Sequence, residues 1–230
     1  MPGGGGDCFF LSVASILLYA AGEQEDLARN LSTRCPTLGK IQETSRRPLA
    51  CRLRMVVSTA VRGWPWKRFL DYVVACLQQE AAGQWRDGWR MSSLVKDTAF
   101  AFLKATNNLE LVFLEGQDFS VWHRVLDDPE VICETVHLAL PDAEQLRKRV
   151  CVYLETPGNM HWADQTDIAV LQEELNVGWC LFGDRAQTAD GCVLHRVMPT
   201  SSTPDTWLCL RYMQEVHFQV LFLKWQENRK

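Results

Sequence analysis

Gly3-Gly4-Gly5-Gly6-Asp7-Cys8-Phe9-Phe10-Leu11-Ser12-Val13-Ala14 opens the chain and decides how the rest is read. A run of glycines delivers a cysteine to the first position of an apolar segment, Cys8 to Tyr19, with the length and density of a buried helix. A thiol at a helix N-terminus meets unpaired backbone N–H groups and the positive end of the helix dipole, and both favour the thiolate. The glycines can adopt φ > 0 and bring their own N–H groups to a ligand, so nucleophile and oxyanion donors can share one turn. The plain alternative is a small, buried core cysteine behind a flexible end.

The 230 residues suit a single domain able to bury a proper core, with 47% hydrophobic and 23% charged residues. A formal net charge of −4 gives no basic field for nucleic acid. Nine tryptophans and ten phenylalanines lead us to expect that some line a binding surface. Nine cysteines, odd in number and scattered without a CxxC pair, do not resemble a disulfide framework and predict a reducing compartment. No apolar run has the length of a membrane span, and the N-terminal segment lacks the basic region of a signal peptide. A cytoplasmic, monomeric protein without nucleic-acid or membrane partners is the expectation.

Along the chain, helices are predicted at Cys8–Ala21 and Gln24–Leu31, a loop at Ser32–Pro48, and a helix at Leu49–Val61 whose β-branched residues also suit a strand. Trp64-Pro65-Trp66 fits a helix start, followed by an apolar stripe through Phe69, Val73, Val74, Cys76 and Leu77. Further on we expect a helix from Leu94 to Leu103, strands at Leu109–Leu114 and Val131–Leu140, and a charged, exposed turn of helix at Asp142–Arg149. Asp167–Asn176 reads as an amphipathic helix. Four short strands follow, at Trp179–Phe182, Val193–Val197, Trp207–Tyr212 and Phe218–Leu223. Helices first and strands last predict an α+β domain with N-terminal helices packed on a small, mostly antiparallel C-terminal sheet.

His217 stands immediately before the last strand pattern, far in sequence from Cys8, as expected of a Cys–His pair that meets only in the fold. At this point the chain resembles the ovarian-tumour (OTU) cysteine proteases. Gly6-Asp7-Cys8-Phe9-Phe10 with Val13-Ala14 is similar to the family's nucleophile motif. Trp162-Ala163-Asp164-Gln165-Thr166-Asp167-Ile168 through Leu171 is like its second helix start. Leu208-Cys209-Leu210, then Val216-His217-Phe218, resembles its strand followed by histidine and an aromatic residue. The resemblance covers Gly4 to about Met91 and Val150 to Leu223, in family order.

The resemblance implies a papain-like OTU fold and a cysteine-type deubiquitinating peptidase. Such an enzyme hydrolyses the peptide or isopeptide bond after the C-terminal Gly-Gly of ubiquitin or polyubiquitin, without cofactor or metal. By it Cys8 is the nucleophile, His217 the general base, and the N–H groups of Gly5, Gly6, Asp7 and Cys8 oxyanion donors, with Phe218 beside them and Trp162 structural or a wall of the cleft. Two positions depart from the family pattern: Gly5 replaces an aspartate, and Gln219 stands where Asp or Asn often holds the histidine ring. Gln219, Asp7 or the loop residue Asp205 is then the candidate orienting group; a glutamine accepts the ring N–H but supplies no negative charge for imidazolium.

Residues from about 83 to 149 have no counterpart in those motifs and read as an insertion, either plain surface or a ubiquitin-binding arm using Trp85, Trp89 or Trp122. A zinc set of Cys180, Cys192, His195 and Cys209 lacks paired ligand spacing. His123, His137 and His161 have no evident partner in the sequence, and the glycine run lacks the flanks of a phosphate-binding loop. Two other readings stay open: a deconjugase for another ubiquitin-like modifier or a viral polyprotein processing protease, and a pseudoenzyme that binds ubiquitin without cleaving it. For a viral or bacterial effector the compartment becomes the host cytosol.

Overall fold

The computed structural model describes residues 7–73, 143–158, 163, 165–183, 193–197, 203–204, 206–213 and 217–220. The chain divides into two compact units, one formed by residues 1–57 and 163–230, the other by residues 58–162. The expected helix at 94–103, the strands at 109–114 and 131–140, and all of the 83–149 segment before residue 143 lie outside the described residues.

In the first unit, helix α1 (Cys8–Glu23) is followed by α2 (Glu25–Arg34) and by α3 (Arg46–Arg62), whose first three turns belong to this unit. Helix α1 runs through Gly22, where nothing lies near the missing side chain, and breaks at Gln24, whose extended backbone separates the two helices. The N–H of Gln24 still bonds the carbonyl of Ala20, so the last turn closes before the chain bends. Glu25 and Asp26 in its first turn and Arg34 in its last complement the dipole of α2.

Residues 32–48, expected as loop, are more ordered than their prolines and glycine suggest. They hold the end of α2, two 3-10 turns (Pro36–Leu38 and Ile41–Glu43) and the start of α3. Leu38 and Ile41 are almost wholly buried, and burial of these two side chains offsets the entropy of ordering the connection. Gly39 (φ 58°) makes the turn between them, its carbonyl accepting from Ser32 Oγ at 2.7 Å, while Arg52 Nη1 donates to the Leu38 carbonyl at 2.7 Å. Helix α3 begins before Leu49 because Pro48, in its first turn, forfeits only an N–H that no helix carbonyl would receive. Leu49, Leu53, Val56, Val57 and Val61 are buried at helical spacing, which settles the strand–helix ambiguity of this segment for helix.

Among the described residues the sheet has four strands, β1 (Val177–Gly183), β2 (Val193–Val197), β3 (Thr206–Met213) and β4 (His217–Val220), in the order β2-β1-β3-β4. The central β1–β3 pair is parallel, with Trp179 opposite Leu208 and Cys180 opposite Cys209; the two outer pairs are antiparallel. The architecture is α+β, with helices ahead of a small mixed sheet. A helix spanning Gln165–Leu175 precedes β1; Asn176 ends it in the left-handed region (φ 54°), where Asn is tolerated, and β1 starts at the next residue.

The core of this unit is aromatic. Phe9, fully buried, lies edge-on to Phe10 at 5.3 Å and to Phe218 at 5.0 Å, and 6.2 Å from buried Trp179. The first turn of α1 is thereby clamped to β1 and β4, and each such ring contact adds to the plain burial of its area.

The second unit holds the end of α3, a helical stretch at residues 66–73 and helix α4 (Ala143–Glu155). The expected exposed turn at 142–149 is the start of this longer helix. Leu146, Val150, Cys151 and Leu154 form one buried stripe at helical spacing, which carries the helix past Arg149. Arg147 joins the elements: Nη1 donates to the Arg62 carbonyl at 2.8 Å and Nη2 to that of Trp64 at 2.9 Å, with the guanidinium 4.6 Å over Phe69. A cation here satisfies carbonyls left open by the end of α3.

Replacing Phe9 by alanine is expected to lower the unfolding free energy by about 3–5 kcal/mol, read from urea denaturation; a loss no larger than that of an exposed Tyr19→Ala control contradicts the clamp.

Candidate active site

Cys8 is the first residue of α1, and 6% of its surface remains exposed. The main-chain amides of Phe218, Phe9 and Cys8 itself lie against its sulfur and favour the thiolate, with that of Phe218 the strongest of the three. One turn further along α1, Ser12 Oγ donates a 3.0 Å hydrogen bond to the carbonyl of Phe218. Positions 8 and 12 share a helix face. Two α1 side chains therefore engage both main-chain groups of one residue on β4, the strand at the end of the sheet. An end strand leaves alternate backbone groups without a neighbouring strand, and here α1 supplies partners for them.

The residue on either side of Phe218 was singled out from the sequence. His217 opens β4, in register with Met213 of β3. Gln219 is exposed and lies opposite Arg211 on β3. Phe218 itself is buried, its ring against Phe9. The fold thus brings Cys8 against the main chain that carries His217, across more than 200 residues of sequence, as the Ser12–Phe218 separation of 206 records. Gly5, Gly6, His161, Trp162, Cys192 and Asp205 lie outside the described residues.

Asp7 has its partner on another helix. Its Oδ1 accepts from Nε of Arg54 at 3.0 Å and from Nη2 at 2.5 Å. Arg54 comes from α3, is 1% exposed, and stacks its guanidinium 4.5 Å over the Phe10 ring. Asp7 is the N-cap residue of α1, yet its side chain makes no capping bond to the helix. Its carboxylate reaches to α3 instead, so the turn carrying Cys8 is tied to a second helix. Removing one partner of a buried pair of this kind costs about 3–5 kcal/mol. A sequence signal for Arg54 existed: it falls on the buried stripe of α3 beside Ala50, Leu53 and Val57, where a cation requires a carboxylate.

Burial pushes the Cys8 thiol up from its ordinary range, and the neighbouring Asp7 carboxylate adds to the rise, while the three amides pull against it. At neutral pH the sulfur is a protonated thiol set among donors that will receive negative charge once a base takes the proton. Cys35 and Cys151 are likewise raised by burial, and Cys209 is pushed up to about 11 by burial and by Cys180 beside it on β1. Among the described residues no three His, Cys, Asp or Glu side chains are grouped to hold a metal ion, and no helix is long and apolar enough to cross a membrane.

These raised thiols predict a pH dependence of stability. The unfolded chain loses its thiol protons first, so the stability present below the ordinary thiol pKa is lost as pH rises towards about 11, the value at Cys209. The melting temperature is expected to fall between about pH 8.5 and 11, and the Cys209→Ala variant to fall less; an identical slope in both proteins contradicts the assignment. Compared with the models of known protein families and with curated proteins, the sequence matches none.

Proposed function

We propose that this chain is a cysteine peptidase of papain-like OTU type that cleaves the peptide or isopeptide bond following the C-terminal Gly-Gly of ubiquitin. The observation that carries the reading is the contact of the Cys8 sulfur with the main chain of Phe218, the residue after His217. A helix N-terminal cysteine and a strand-borne histidine are the two halves of a thiol protease centre, and this contact joins the elements that bear them.

In the proposed reaction His217 accepts the thiol proton and the Cys8 thiolate attacks the carbonyl carbon of the terminal glycine. The oxyanion forms beside the α1 amides and the glycine turn. Collapse expels the lysine or N-terminal amine, which takes its proton from the imidazolium, and leaves a thioester. Water, deprotonated by the imidazole, then attacks the thioester; the carboxylate departs and the thiol is restored. The buried, protonated resting thiol favours a site whose activity rises as the bound tail displaces water and completes the ion pair. In this reading ubiquitin or its chains are the partner, the compartment is the cytosol, and Gln219 is the candidate to orient the histidine ring.

Ubiquitin bearing a thiol-reactive group at its C-terminus is the direct test. A covalent adduct is expected with the wild-type chain and none with Cys8→Ala, with adduct formation slowed at least about 100-fold in His217→Ala. Adduct only with a different ubiquitin-like modifier redirects the reading to a deconjugase. Binding without adduct assigns a ubiquitin-binding pseudoenzyme, and neither binding nor adduct overturns the proposal. Turnover of Gln219→Ala equal to wild type would remove that residue from the mechanism.

A further inference from the structure

Resting on the reading of Cys8 as the nucleophile, we propose that Arg54 is a positioning residue for the reactive turn: its guanidinium holds the Asp7 carboxylate, fixing the first turn of α1 and screening the sulfur from the negative charge beside it. Three observations carry this. Arg54 is buried to within 1% of its surface, so its charge demands a partner, and it makes two hydrogen bonds to one oxygen of Asp7. Its guanidinium also lies 4.5 Å over the ring of Phe10, two residues beyond Cys8. Arg54 therefore grips the turn on both sides of the cysteine.

The second consequence is electrostatic. Asp7 is the immediate neighbour of Cys8, and its carboxylate opposes formation of the thiolate. A cation bound to that carboxylate opposes its field at the sulfur. Among the described residues, the charged group acting on the sulfur is Asp7 at the head of α1, and Arg54 from α3 is bonded to that carboxylate. Asp7 has a purpose in this scheme although it does not cap the helix: it is the handle by which α3 holds the turn. Lysine at position 54 keeps the charge but loses the fork that makes two bonds at once.

The test follows alkylation of Cys8 by iodoacetamide against pH, with the modified peptide quantified by mass spectrometry so that the other cysteines do not interfere. Arg54→Met is expected to move the midpoint upward by about one pH unit, slowing reaction at neutral pH roughly tenfold. Asp7→Asn is expected to move it downward, and Arg54→Lys to stay nearer to wild type than Arg54→Met. Opposite signs for the two partners are a signature that loss of packing does not produce. Shifts of the same sign, or no shift while thermal stability falls, overturn the proposal and leave Arg54 a structural residue. Should Arg54→Met fail to fold, the Asp7→Asn result decides: a downward shift supports the proposal, and no shift or an upward one overturns it. The reagent contains no ubiquitin, so opposite shifts in a protein that forms no ubiquitin adduct would sustain the electrostatic coupling while sinking the peptidase reading.

Discussion

The seam between the first two turns of α1 and the main chain of Phe218 is the constraint on which the first unit depends. Cys8 and Ser12 meet the amide and carbonyl of that residue, and Phe9 packs on its ring. Polar and apolar contacts thus converge on a single position of β4, a strand of four residues that could not persist alone. The same seam buries the sulfur, and burial is what keeps the thiol protonated. Structure and reactivity are linked here by one physical fact: the contact that secures the strand also desolvates the cysteine.

A buried thiol among backbone donors and a buried arginine on the adjacent carboxylate form a coherent electrostatic arrangement. Desolvation alone would leave a poor nucleophile. The amides of Phe218, Phe9 and Cys8 work against it, and Arg54 holds the nearest opposing charge, the Asp7 carboxylate. None of these groups depends on solvent, so their effect persists when a substrate tail excludes water from the sulfur. In the second unit a cation meets carbonyls instead of a carboxylate, with Arg147 joining those of Arg62 and Trp64 to the Phe69 ring.

Much of the order of elements was legible along the chain. The apolar run after Cys8, the stripe from Leu49 to Val61 and the short strands at 193–197 and 206–213 follow from period and punctuation, because each buries a face set by its own residue spacing. Less legible were the segments whose order comes from elsewhere. Leu38 and Ile41 organise a stretch rich in turn residues only because the fold buries them, and the helix at 143–155 is hard to read as one element because its charged half and its apolar half look unlike in sequence. The candidate cysteine and histidine are legible as residues, whereas Arg54 and Ser12 are not legible as part of the site, since their importance is a matter of whom they touch.

Sequence alone therefore determined which residues can do chemistry and which faces must be buried, since residue type and period are local properties. Tertiary structure decided that β1 and β3 run parallel between antiparallel neighbours, that Phe218 meets the sulfur of Cys8, and that Asp7 belongs to Arg54. Those are pairings between segments separated by 47 residues for Arg54 and Asp7 and by 206 for Ser12 and Phe218. No local pattern encodes such pairings; they arise when the whole core packs and every buried charge and backbone group must find a partner at once.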